Sequence, residues 1–203
     1  MTTTPESIEQ TIQACYPAVT AAFNPPATEA EIAAAERQLG VEFPAEFKQF
    51  YLAANGQQLD ELGCGVGVPA VPRMPLGGGS SETCTWGEFL TLDGVVQATL
   101  AHRELAEFDF PDDDNVELVG PVTVHRNHLI FCDPGTGDSL GLDLAPPSIG
   151  QKYQVVAINH DPSGFACLAS SFTEFVAQVV RAISSDDFVY TEEEGCFLPA
   201  DEA

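Results

Sequence analysis

Three observations in the sequence predict an α+β fold with a central, mostly antiparallel, twisted sheet covered by helices. Helical periodicity dominates as far as Arg103, short Val-, Ile- and Leu-rich runs punctuated by Gly and Pro fill residues 116 to 159, and a strongly apolar helical stripe closes the core at Phe172 to Ile183. Helices first, strands next and a helix to close is not the order of repeated βαβ units. No internal repeat is present.

Each element has its own local signal. Thr4 and Pro5 open an N-terminal helix with Ile8, Ile12 and Cys15 on one side, and Pro17 kinks or ends it. Asn24-Pro25-Pro26 forces an extended connection. Thr28 followed by Glu31 has the form of a capping box, in which the hydroxyl accepts the Glu31 N–H and the carboxylate accepts the Thr28 N–H. Ile32, Ala35, Glu36 and Leu39 form the face of that helix, and Gly40 supplies the left-handed residue that stops it. Pro44 suits the first turn of the next helix, where Phe47, Phe50, Tyr51 and Ala54 share a face before Asn55-Gly56, two residues able to take positive φ, turns the chain away.

Residues 57–85 are rich in Gly and Pro, include Gly77-Gly78-Gly79 and lack sustained periodicity, which predicts a surface loop with a short strand near Val66 to Val71. Asp93 is the expected N-cap of a helix of about three turns carrying Val95, Val96, Thr99, Leu100 and Arg103. Strands are expected around Val116 to Val119, Val122 to Val124, His128 to Cys132, Ser139 to Leu144 and Tyr153 to Asn159. Asp133-Pro-Gly-Thr-Gly-Asp138 is a tight connection, which makes its flanking strands antiparallel. Ser171 and Glu174 form a second capping box ahead of Phe172, Phe175, Val176, Val179 and Ile183.

The helix with Glu-Ile-x-x-x-Glu, the Leu-Gly-Val-x-hydrophobic-Pro turn and the aromatic helix ending in Asn-Gly resemble the SUKH superfamily. The resemblance continues in order through Trp86-Gly-Glu-Phe-Leu-Thr-Leu-Asp93, His128 to Asp133, Leu140-Gly-Leu-Asp143, Val155 to Asp161 and Ala169 to Val176. It divides the chain into an N-terminal helical extension (1–27), a SUKH-like domain (28–184) bearing the 57–85 insertion, and an acidic C-terminal segment (185–203). That superfamily includes bacterial immunity proteins and fungal cell-wall-assembly regulators, so the resemblance implies a non-enzymatic protein-binding module. In a bacterium it implies neutralisation of a cognate intracellular toxin. A regulatory scaffold is the alternative, and a small-ligand or metal-binding domain with the Gly-rich insertion as a lid is a third.

Charge bounds the partners. Thirty-one acidic residues oppose 7 basic ones, for a formal net charge of −24. Such a surface repels nucleic-acid backbones and anionic membranes, and it steers basic proteins toward itself. The acidic clusters Asp109, Asp112, Asp113 and Asp114, and Glu192, Glu193 and Glu194, are the candidate partner-binding residues, weighed against solvated loops. Met1 to Gln10 is polar and acidic, and no run approaches the roughly 20 apolar residues of a membrane span, so a cytoplasmic protein is expected. Six cysteines without a CxxC pair fit free thiols in a reducing compartment better than a disulfide framework.

No catalytic signature is present and no cofactor is implied. His125 and His128 with Cys132 and Asp133 suggest a metal site, but strand residues three apart face opposite ways, so the imidazoles converge only if the chain turns at Arg126-Asn127. Two ordinary histidines at a turn are the expectation. Asp133 to Asp138 lacks the spacing and the terminal Glu of a calcium loop. His160-Asp161 lacks the helical context of a phosphohydrolase pair, and neither a nucleophile elbow nor a phosphate loop occurs.

Overall fold

The computed structural model describes residues 4–15, 23–58, 88–105, 116–133, 138–159, 163–191 and 196–200. Its elements run α1 (Pro5–Cys15), α2 (Glu29–Leu39), α3 (Ala45–Ala53), α4 (Leu92–Leu105), β1 (Glu117–Val119), β2 (His128–Cys132), β3 (Ser139–Asp143), β4 (Val155–Asn159), β5 (Gly164–Ala169), α5 (Phe172–Ile183), β6 (Phe188–Thr191) and β7 (Cys196–Pro199). Five strands form one sheet in the order β1-β5-β4-β3-β2, antiparallel throughout except for the β1–β5 pair. This is the α+β architecture expected from the order of periodicities. Among the described residues no helix is long and apolar enough to cross a membrane.

The caps form as local chemistry dictates. Glu31 N–H donates to Thr28 Oγ1 at 3.2 Å, Thr28 N–H donates to the Glu31 carboxylate at 2.7 Å, and Gly40 ends α2 at φ 67°. Glu36 reaches forward from α2 to accept the Phe43 N–H at 2.7 Å and to pair with Lys48 on α3 at 2.7 Å. Pro44 lies one position earlier than expected, at the N-cap of α3. Before α5 the box is displaced by one residue: Ser171 Oγ accepts the Glu174 N–H, while the Glu174 carboxylate takes the Ser170 N–H at 2.8 Å.

The sheet is buried on both faces. Leu129, Phe131, Leu140, Leu142, Val155 and Ala157 share the main core with Ile8 and Ile12 of α1, the aromatic face of α3 and the stripe of α5. Phe131 lies 5.2 Å from Phe172 and 5.7 Å from Phe175, ring centre to ring centre, and Phe47 lies 5.0 Å from Phe172. On the opposite face Val122, Ile130, Val156, Ile158 and Phe165 make a second, smaller cluster. Two buried faces explain why β2 and β4 carry unbroken apolar runs, Leu129 to Cys132 and Val155 to Ile158, rather than alternating ones.

Several expectations are corrected. Cys15 is exposed, since burial along α1 ends at Ile12. The hydroxyl of Thr91 accepts the Gly94 N–H at 3.2 Å and its carbonyl accepts the Val95 N–H at 2.8 Å, so Thr91 caps α4 and Asp93 lies inside the first turn. Val122 to Val124 is not a strand, because Gly120 at φ 84° and Pro121, which has no N–H, interrupt the ladder. Strand β5 went unpredicted because its small Ala-Cys centre hides the alternation, and the β6–β7 hairpin lies within the expected acidic segment. The proposed strand at Val66 to Val71 and the Gly77 to Gly79 run fall outside the described residues.

Helix α4 and the segment before it seal the β2 edge. Leu90 N–H donates to Phe131 O at 2.9 Å, Phe89 bridges to Cys132, and the Thr99 hydroxyl accepts the outward-facing Ile130 N–H at 3.0 Å. An edge that would offer unpaired donors is thereby closed by the chain itself.

Candidate functional site

The titratable side chains that the fold does gather lie where α4, β2 and β3 meet. His102 projects from α4, His125 from the loop before β2, His128 opens β2, and Asp143 ends β3 in register with His128. Gly141 makes room beside them, since a Cβ there would sit 3.1 Å from the His128 Cβ. Tyr153 adopts φ 70°, rare for a residue with a side chain, and its N–H returns to Asp143 O at 2.8 Å. That turn delivers Gln154 to the cluster.

Asp143 is the one buried carboxylate among the described residues, and every donor about it has a source. Its Oδ1 accepts from His125 Nε2 at 2.9 Å and from the Ala145 N–H at 3.0 Å, and its Oδ2 accepts from Gln154 Nε2 at 3.1 Å. Gln154 also donates to Pro121 O at 2.7 Å and accepts the Gln151 N–H at 3.0 Å. The carboxylate thus anchors both loops that flank β2 and β3.

The imidazoles divide into two kinds. His125 Nδ1 accepts the Asn127 N–H at 2.9 Å, which fixes its proton on Nε2, facing Asp143. His102 Nε2 and His128 Nδ1 stand 3.1 Å apart and share one proton between them. Burial, with His125 and Arg103 nearby, lowers His102 to about 4, and burial with His125 and His102 holds His128 well below the ordinary histidine range. Both are neutral at pH 7.

One nitrogen each from His125 and His128 and one Asp143 oxygen lie within 4.8 Å of one another, so the turn at Arg126-Asn127 does bring the imidazoles together. In this arrangement they do not form a coordination sphere, for two reasons. Both His125 nitrogens are engaged with protein partners. The His125 and His128 rings also stack with centres 4.2 Å apart and planes 17° apart, whereas an ion held by both must lie about 2 Å from each nitrogen and close to both ring planes. Near-parallel planes share no such point. Cys132 is absent from the cluster because it lies four residues, about 13 Å, along β2 from His128, and a register shift between Ile130 and Cys132 also turns its side chain into the main core.

No nucleophile is hydrogen-bonded to these histidines among the contacts described, and burial raises the Cys132 thiol well above its ordinary value, which keeps it protonated and unreactive. His102 and Gln154 were missed in the sequence; the available signal was His102 three residues after Thr99, on the α4 face that meets β2. The acidic residues singled out for recognition, Asp109, Asp112, Asp113, Asp114, Glu192, Glu193 and Glu194, lie outside the described residues, as do Trp86 and His160-Asp161. Among the described residues, Glu29, Glu31, Glu42, Asp93, Glu104, Glu174, Asp186 and Asp187 are exposed, so these charges face solvent.

No curated protein matches this sequence. The family model described as the SMI1 / KNR4 family (SUKH-1) matches residues 26–178, which covers α2 through most of α5 and leaves out α1 and the β6–β7 hairpin. Across most of its 203 residues, with the capped helices and the sheet that carries the histidine–aspartate network, the chain belongs to the SMI1/KNR4 family (SUKH-1).

Proposed function

We propose that this protein is a non-enzymatic protein-binding module that acts as an immunity protein, binding a basic intracellular toxin and covering its active surface. The observation that carries the proposal is the net charge of −24 on a chain of this family. An acidic surface accelerates encounter with a basic nuclease-like domain and competes for the same electrostatic surface that draws its substrate. The polar groups gathered at the β2 end are bonded to one another and buried or half-buried, which suits support of the fold better than turnover.

The test is co-expression with a candidate toxin domain, sought in the coding sequence adjacent to this gene. Growth restored by this chain, and a stopped-flow association rate that falls steeply as salt rises past roughly 0.15 M, where the Debye length is about 8 Å, support the proposal. Converting Asp112, Asp113 and Asp114 together to Asn is expected to lower the on-rate and flatten its salt dependence while the fold is kept. Toxicity unrelieved by the wild-type chain, or association indifferent to salt, would sink the acidic-mimic role and favour a scaffold.

A further inference from the structure

We propose that the His102–His128 contact is an acid-released latch that holds α4 on the edge of β2. Two side chains three residues apart on one face of α4 reach that strand: Thr99 accepts the Ile130 N–H at 3.0 Å, and His102 Nε2 meets His128 Nδ1 at 3.1 Å. Thr99 and His128 are almost completely buried, so neither bond is replaced by water while α4 stays in place.

The geometry makes the second bond depend on protonation. A pair of imidazoles facing each other through two nitrogens holds one hydrogen between them. When both rings are cationic, each facing nitrogen carries a hydrogen and the bond gives way to repulsion. The groups around the pair do little to relieve it. From the loop comes His125, stacked on His128; from α4 comes Arg103, which feels the Arg126 charge and whose Nη1 donates to Leu39 O of α2 at 2.9 Å. From β5 comes the Phe165 ring, stacked on His128, while the Cys167 thiol packs on the small apolar cluster and lies near Asp143. From β3 comes Asp143, the one buried carboxylate among the described residues, whose oxygens are already engaged by His125, Ala145 and Gln154.

The direction of the response follows from linkage. Closed, both histidines titrate below 6.5; opened to water, each returns to about 6.5. The open form therefore binds more protons, and the opening constant is level above pH 6.5 and rises as pH falls. The limiting slope is about tenfold per pH unit for each histidine, hence up to about a hundredfold for two. Opening uncovers the Ile130 N–H and leaves a free sheet edge.

Amide hydrogen exchange on the full chain, from pH 7 to 4.5 and corrected for the intrinsic pH dependence, tests this. The expected result is that Ile130, Val96 and Thr99 lose protection at least tenfold per pH unit below 6.5, while Val156 and Ala166 in the sheet centre keep theirs. His102→Gln, which removes one titrating group, should roughly halve the logarithmic slope at Ile130. Protection at Ile130 that stays level down to pH 4.5, or that falls in step with Val156 and Ala166, would overturn the latch. An unchanged slope in H102Q would do the same.

Discussion

Asn55, at the turn after α3, accepts the Leu92 N–H on its Oδ1 at 2.8 Å and so caps the first turn of a helix 37 residues further along the chain. Around this bond the two segments interlock: Gln57 N–H donates to Phe89 O at 2.9 Å, Phe89 N–H donates to Gln57 Oε1 at 2.8 Å, and Tyr51 Oη donates to Leu90 O at 2.8 Å. Gly56 takes φ 69° here, and a Cβ would stand 2.5 Å from Leu90 C and O. The Asn-Gly pair is therefore a clasp between α3 and α4.

Asn55→Ala is expected to cost about 1 to 2 kcal/mol, the loss of a helix cap and a part-buried hydrogen bond. Gly56→Ala should cost more than about 2 kcal/mol, because strain at positive φ adds to a backbone clash. Urea denaturation measures both. A Gly56→Ala protein as stable as wild type would show that the clasp is not as close as described.

Thr91 and Asp93 give opposite expectations for the start of α4. Thr91→Ala removes the hydroxyl that holds the Gly94 N–H and should lower stability by about 1 kcal/mol. Asp93→Ala removes only an exposed first-turn charge and should cost less than about 0.5 kcal/mol. If the order of the two were reversed in the same urea series, the cap would belong to Asp93.

Stability should fall with acid in a defined window. His102 titrates near 4 when folded and near 6.5 when unfolded, and His128 is shifted in the same direction. The unfolded chain takes up more protons between those values, so stability is intact above about pH 6.5 and declines toward pH 4. His102 alone accounts for about 3 kcal/mol of that decline at pH 4. Thermal melts of wild type and His102→Gln across this range should converge as pH drops; parallel curves would remove His102 from the account.

Zinc should bind with no one-to-one stoichiometry and leave the melting temperature unchanged in calorimetry. The stacked rings and the occupied His125 nitrogens predict this. One tightly bound equivalent, lost in His125→Ala, would mean that the rings rotate into a coordinating arrangement.

Phe50 packs edge-on to Phe172 at 5.1 Å and against Phe89 at 4.9 Å within the main core. Phe50→Ala is expected to cost about 3 to 5 kcal/mol. A loss under about 1 kcal/mol in urea unfolding would contradict its place between α3, α5 and the segment before α4.

What was legible in the sequence is what short-range physics controls. Thr28 with Glu31, Gly40, and the stripes Phe47-Phe50-Tyr51 and Phe172-Phe175-Val179 act over one or two turns, so spacing alone determined where those helices begin, end and face. The same patterns in chain order were enough to indicate the family. Only the tertiary structure decided the rest. His102, His125, His128 and Asp143 meet because α4 lies along the β2 edge, because the chain bends at Arg126, and because the β2–β3 register places His128 opposite Asp143. A shift of one residue in that register would send the two side chains to opposite faces of the sheet. Register, turn and helix docking are set by burial summed over the whole core, so no local spacing could announce the network, or the reach of Asn55 to Leu92.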